Sequence, residues 1–166
     1  MYHRFDENKY PSTNIQMEVF NKHLEEIDKS NLEFINFKKF EKIISKNIDK
    51  NYLLLTIDDA FSSFYLNAWP IIKKNKIPIV LFVSTREVGK YGYMTWEQIK
   101  EIESSGLVTI GNHSHSHEYL IDWNEKKIRN DLEKSIKIFN EELGYSPKLF
   151  SYPFGEYSTI LKKIVT

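Results

Sequence analysis

Two adjacent carboxylates, Asp58 and Asp59, end the apolar run Leu53-Leu54-Leu55-Thr56-Ile57. Two imidazoles, His113 and His117, stand four residues apart, just after another such run, Leu107-Val108-Thr109-Ile110. Successive side chains on a strand point opposite ways, so two neighbouring Asp at a strand exit can do two different jobs at one site. Two imidazoles at i and i+4 share a face if the backbone turns helically there. With one carboxylate from elsewhere they make a three-ligand metal site with open positions, able to hold a water and lower its pKa. His115, between them, is expected to point away from that face. The competing reading of the Asp pair is structural, as an N-cap for a helix starting near Phe61. A third stretch, Ser151-Tyr152-Pro153-Phe154-Gly155, also follows an apolar run, and its proline fixes a turn.

These groups need elements that bring them together. Apolar runs at 53–57, 77–83, 107–110 and 149–152 predict strands, with a short one at 33–36. Helical spacing of apolar residues predicts helices over 14–28, 37–46, 61–75 (interrupted by Pro70), 95–105, 124–143 and from 159 onward. Thr13-Asn14-Ile15-Gln16 and Thr95-Trp96-Glu97-Gln98 each fit a capping box. Strands alternating with helices predict an α/β fold around a mainly parallel sheet. The strand exits then converge at one end of that sheet, where α/β folds bind ligands.

Composition narrows the chemistry. The chain has 166 residues, 23 basic against 23 acidic, and formal net charge +0. Nothing electrostatic favours nucleic acid or an anionic membrane. The absence of cysteine excludes thiolate metal sites and cysteine nucleophiles. No apolar run reaches the ~18 residues of a membrane span, and the N-terminus has no apolar signal core. Aromatic residues make up 14%, which suits a carbohydrate-facing groove, although a packed core accounts for them more simply.

The motifs resemble those of the NodB-homology polysaccharide deacetylases, carbohydrate esterase family four. Thr56-Ile57-Asp58-Asp59-Ala60 is similar to that family's T-F-D-D-G. His113-Ser114-His115-Ser116-His117 fits H-[ST]-x-x-H at every defined position, and Ser151-Tyr152-Pro153-Phe154 resembles R-x-P-[FY]. Tyr2-His3-Arg4-Phe5 and Met94-Thr95-Trp96 are similar to stretches of bacterial members.

The resemblance implies a distorted (β/α) barrel. It implies Asp58 as general base and Asp59, His113 and His117 as ligands of a divalent metal, usually zinc. Phe154 is implied to offer its backbone N–H to the oxyanion, with Tyr152, Pro153 and Phe154 along the oxyanion and substrate groove. The implied activity is removal of N-acetyl groups from amino sugars of a glycan. The alternatives are an O-acetyl esterase on a glycan and a catalytically weak, metal-containing glycan-binding domain. A cell-envelope or extracellular location is implied as well.

Three departures stand out. Ala60 replaces Gly and slightly tightens the turn. Ser151 replaces the Arg that engages the catalytic Asp. The later motifs, including an L-x-H whose His is the general acid, lie beyond Thr166, and neither His3 nor His23 maps onto it. The expectation is therefore one deacetylase domain over 1–166, clipped at both ends and lacking the C-terminal motifs. Its open sheet edges would favour self-association, and it would cleave activated acetyl esters better than N-acetyl sugars.

Overall fold

The computed structural model describes residues 1–46 and 50–165. In chain order they form β1 (Arg4–Phe5), β2 (Asn14–Ile15), α1 (Met17–Lys29), β3 (Glu33–Phe34), α2 (Phe37–Ile43), β4 (Tyr52–Leu53) and β5 (Leu55–Asp58). There follow α3 (Trp69–Lys74), β6 (Ile79–Val83), α4 (Trp96–Ser104), β7 (Val108–Asn112), α5 (Glu125–Leu143) and α6 (Thr159–Val165). The end of the helix expected over 37–46 is shorter than its apolar pattern suggested, and the polar turn expected from Asn47 falls largely outside the described residues.

The central sheet is parallel, in the order β5-β6-β7. Asp58 lies beside Phe82 and Val83 beside Asn112 in its register. All three strands therefore end on the same side of the molecule. Their Ile, Val and Leu residues are buried, while Thr56 and Thr109 are half-buried. Phe5, Phe20, Phe64, Trp69 and Phe139 pack into the same core. Much of the aromatic content is thereby accounted for by packing.

The sheet is not closed into a barrel among the described residues. Its edges are partly paired nonetheless. On one side Tyr2 N–H donates to Thr56 O at 3.0 Å, and Asp58 N–H to Tyr2 O at 2.9 Å. On the other, Asn112 N–H donates to Leu149 O at 2.8 Å, and Ser151 N–H to Asn112 O at 3.0 Å. These bonds blunt the edge-driven association expected from the sequence.

Three expectations about elements change. The run at 53–57 is two strands: Tyr52–Leu53 pairs with β3, and only Leu55–Asp58 joins the central sheet. The strand expected at 149–152 reduces to one bridge, Phe150 beside Asn112. The Thr13 capping box does not form, because Asn14–Ile15 pair with Arg4–Phe5 as a strand. Helix α1 starts later, and Asp6 Oδ1 accepts from Met17 N–H at 2.7 Å. The interruption expected at Pro70 is present: Pro70 sits at the start of α3, immediately after a π-helical turn over Phe64–Ala68. No helix among the described residues is long and apolar enough to cross a membrane.

Candidate metal centre and active site

Strand β5 delivers its carboxylates through a strained turn. Asp58 is its last residue, and Asp59 and Ala60 follow at φ +72 and +53. Left-handed backbone at a non-glycine residue costs roughly 1–2 kcal/mol, so something must hold it. Ala60 O accepts from Met94 N–H at 2.9 Å, tying the turn to the loop after β6. Neither Asp accepts a bond from a helix N–H among the described residues. Asp58 Oδ2 accepts from the Ser151 hydroxyl at 3.2 Å, and Asp59 Oδ1 faces the histidines. The N-cap reading is thus not realised.

The histidine loop leaves β7 without turning helically. Ser114 and His117 have φ +68 and +52. The loop is held from both sides. From the β6 side, His113 N–H donates to Val83 O at 3.0 Å, Ser84 Oγ to His113 O at 2.8 Å, and Arg86 N–H to His115 O at 3.0 Å. From α5, buried Asp131 accepts the His115 N–H at 2.8 Å and the Ser116 N–H at 3.1 Å. The two imidazoles meet with ring centroids 4.9 Å apart, brought together by the loop rather than by a helical face. His115 shares a hydrogen bond with Thr85 Oγ1 at 2.9 Å, away from the pair. Gly111 is needed beneath this loop, since a Cβ there would stand 2.4 Å from Phe82 Cδ1.

Ser151 joins the two halves. Its carbonyl accepts from His113 Nδ1 at 2.8 Å, and its hydroxyl bonds Asp58. A carbonyl only accepts, so Nδ1 carries the proton and Nε2 presents its lone pair. That Nε2 lies 3.5 Å from Asp59 Oδ1 and 4.0 Å from Asp58 Oδ2, while His117 Nε2 lies 3.0 Å from Asp59 Oδ1.

The site drives its two carboxyls apart. Burial raises the Asp58 pKa, against the opposing charges of His113 and His3. Burial also acts to raise Asp59, but the hydrogen bond and charge of His117, with His113 and His3, outweigh it and hold Asp59 below its ordinary value. Burial lowers His113 despite both carboxylates. His117 is raised, because its bond to Asp59 outweighs burial. Titratable pairs pushed in opposite directions are a usual mark of divided acid–base roles.

Asp59, His113 and His117 bring one ligand atom each to within 4.8 Å of one another. Two imidazoles and a carboxylate, with one imidazole's tautomer fixed by a carbonyl, fit a divalent metal. The buried Asp58 Oδ1 beside them has no hydrogen-bond partner. A buried carboxylate oxygen without a partner among the described residues is costly unless something else engages it.

The third stretch divides. Phe154, at φ +61, is 58% exposed and packs its ring 4.9 Å from His117 and 5.2 Å from Tyr119. Pro153 is buried at the turn. Tyr152 lies against Phe150 and Tyr157, in the apolar cluster of Leu120, Ile128, Leu132 and Leu161.

Three contributors escaped the sequence reading. Ser151 reaches Asp58 through its hydroxyl. Asp131 clamps the histidine loop. His3 follows Tyr2 alongside β5, near enough that its charge pulls down both Asp58 and Asp59. The available signal for His3 was the Tyr2-His3-Arg4-Phe5 stretch itself. His23, by contrast, pairs with the Tyr2 hydroxyl at 2.7 Å on the surface.

The chain is similar to known proteins along most of its length. The poly-β-1,6-N-acetyl-D-glucosamine N-deacetylase of Staphylococcus aureus is 30% identical over 136 residues, 74% of this chain and 45% of the relative. The chain thus spans about half the length of the curated relatives it matches. The solved structure of IcaB from Ammonifex degensii superimposes with TM-score 0.90 at 27% identity, over 99% of this chain and 76% of that one. The Streptococcus pyogenes deacetylase PplD, solved with acetate, gives TM-score 0.86 at 22% identity, again over 99% and 76%. Residues 45–166 match the family profile described as polysaccharide deacetylase. That profile spans well over half of the sequence, and the chain belongs to the polysaccharide deacetylase family.

Proposed function

We propose that this chain is the catalytic domain of a metal-dependent hydrolase that removes N-acetyl groups from amino sugars of a glycan. The observation that carries the reading is the unpartnered, buried Asp58 Oδ1 beside a three-ligand group. The name of the Staphylococcus aureus relative makes poly-β-1,6-N-acetylglucosamine the first substrate to test.

In this reading Asp59, His113 and His117 hold the metal, and zinc suits two imidazoles and a carboxylate. The metal, when bound, supplies Lewis-acid polarisation of the acetyl carbonyl and acidifies water. Asp58 takes the proton from the attacking water, helped by the burial that raises its basicity. The Ser151 hydroxyl orients Asp58, and the Ser151 carbonyl orients His113. The Phe154 N–H is offered to the tetrahedral oxyanion. The water oxygen bonds the carbonyl carbon, the C–N bond breaks, and the amine must gain a proton as acetate leaves. His3, whose neighbour Tyr2 pairs with Ile57 next to Asp58, is the group we assign to give that proton. With His3 present, amide cleavage does not require a histidine from an L-x-H motif.

The test measures acetate release and metal content together. Asp58→Asn should keep its metal and lose about 10²–10⁴-fold in turnover. His113→Ala should lose the metal. His3→Ala should lose more activity on N-acetyl oligomers than on an activated acetyl ester, whose leaving group departs unprotonated. Full metal occupancy in His113→Ala would reject the ligand assignment. Equal losses on amide and ester in His3→Ala would reject His3 as the acid. An O-acetyl esterase would instead turn over acetylxylan faster than N-acetylglucosamine oligomers.

A further inference from the structure

The two histidines of the metal centre are oriented in different ways. His113 is buried, and its Nδ1 is fixed on the Ser151 carbonyl. His117 is only partly buried, with Nε2 toward Asp59 at 3.0 Å. Among the described residues no hydrogen-bond partner takes up its Nδ1. The rings of His113 and Phe154 flank it, each with its centroid 4.9 Å away. The backbone must therefore place this imidazole. That backbone is left-handed, at φ +52, a region disfavoured for a residue with a Cβ. Groups outside the residue have to set it.

The peptide group ahead of His117 is gripped at both ends. Its N–H, that of His117, donates to Ser114 Oγ at 3.0 Å. Its carbonyl, that of Ser116, accepts from Arg86 Nη2. The same Nη2 donates to Glu118 Oε1 at 3.2 Å, on the far side of His117. One guanidinium thus bridges residues 116 and 118 across the ligand, which leaves the backbone of His117 little freedom.

Arg86 is itself held in place. Thr85 N–H donates to Ser114 O at 3.3 Å and Arg86 N–H to His115 O at 3.0 Å, so pairing between β6 and β7 runs on past their ends. Arg86 Nε donates to Glu87 Oε1 at 3.0 Å, and Lys90 Nζ donates to the same carboxylate at 3.1 Å. The planar fork is fixed at Nε and presents Nη2 to the loop, a geometry that a lysine ammonium does not reproduce. Asp131 grips the Ser116 N–H from α5, and Arg86 grips the Ser116 carbonyl from the β6 side.

We propose that Arg86 is a positioning residue for the metal centre, setting His117 as a ligand through the Ser116 carbonyl and Glu118. The proposal rests on the ligand assignment above. Its test reads the metal and not turnover. Chelator-treated protein is titrated with zinc against a competing chelator, and separately with cobalt(II), whose visible absorption reports ligand geometry. Arg86→Ala should raise the zinc dissociation constant about 10-fold, as the loss of groups that orient ligands does. At saturating cobalt it should also change the visible bands. Removing a nearby positive charge would by itself tighten cation binding, so weaker binding identifies positioning. Arg86→Lys keeps the charge and loses the fork, and it should weaken zinc and alter the cobalt bands as well.

A residue that merely supports the fold would lower Tm and leave the saturated cobalt spectrum as in the wild type. Zinc bound as tightly as in the wild type, or an unchanged saturated spectrum, in both variants overturns the proposal. If Arg86→Ala does not fold, Arg86→Lys decides alone by the same two readings. Wild-type protein that binds neither metal overturns the ligand assignment, and the proposal with it.

Discussion

Asp131 carries no mark of function in the sequence, being one of many acidic residues on a long amphipathic helix. In the fold its carboxylate is buried and accepts two consecutive backbone N–H groups from the loop that bears both histidines. Groups that orient metal ligands without touching the metal typically matter 10–100-fold in affinity, roughly as much as the supports of known sites do. Asp131→Asn puts an N–H₂ where an acceptor stood, so one of the two loop bonds is lost. We expect the metal dissociation constant to rise about 10-fold or more, measured by competition with a chelator. An unchanged constant would mean that the β6-side bonds alone hold the loop. The contrast in legibility is physical. Asp58, Asp59, His113 and His117 were readable as candidates from residue type and their place at strand exits, although a loop and not the expected helical face brings the histidines together. His3, Ser151 and Asp131 act through partners far away in the chain, such as Ser151 on Asp58, and no local pattern records such a pairing.

Two stretches with the same capping pattern behaved differently. Thr95 and Gln98 form the reciprocal box, with Thr95 N–H on Gln98 Oε1 at 2.9 Å and Gln98 N–H on Thr95 Oγ1 at 3.3 Å. Thr13-Asn14-Ile15-Gln16 has the same letters, but β1 claims Asn14 and Ile15 as strand partners. A helix cap is worth only about 1 kcal/mol, so a competing tertiary pairing decides the outcome. Long, strongly patterned elements such as α5, with Asn124 as its N-cap and Gly144 closing it at φ +79, were legible for the opposite reason. Two-residue strands hold little periodicity, which is why β1 and β2 were not foreseen and β4 was merged with β5. The intact box makes a direct prediction. Thr95→Ala should cost about 1 kcal/mol, or about 2–4 °C in Tm for a chain of this size. Thr13→Ala, lacking a box to break, should move Tm by clearly less. Equal losses would show that the Thr95 bonds do not cap α4 in solution.

Parallel packing follows from alternating strands and helices, and it decides where chemistry collects. Asp59 leaves β5, and the histidines leave β7, with β6 between them. A metal held by Asp59, His113 and His117 therefore ties the two outer strands of the central sheet together at their ends. The unfolded chain separates these ligands by more than fifty residues and cannot hold them together in advance. Binding to the native state alone stabilises it by RT ln(1 + [L]/Kd), about 2.7 kcal/mol at a hundredfold excess over Kd. At about 2–4 °C per kcal/mol for a chain of this size, that is a rise of about 5–11 °C in Tm. We expect zinc added to chelator-treated protein to produce a shift of this order and renewed chelation to reverse it. In Asp58→Asn the shift should persist, because Asp58 is not a ligand in this assignment. In His113→Ala it should vanish. A Tm indifferent to zinc in the wild-type protein, or a full shift in His113→Ala, would place the metal elsewhere or nowhere in this chain.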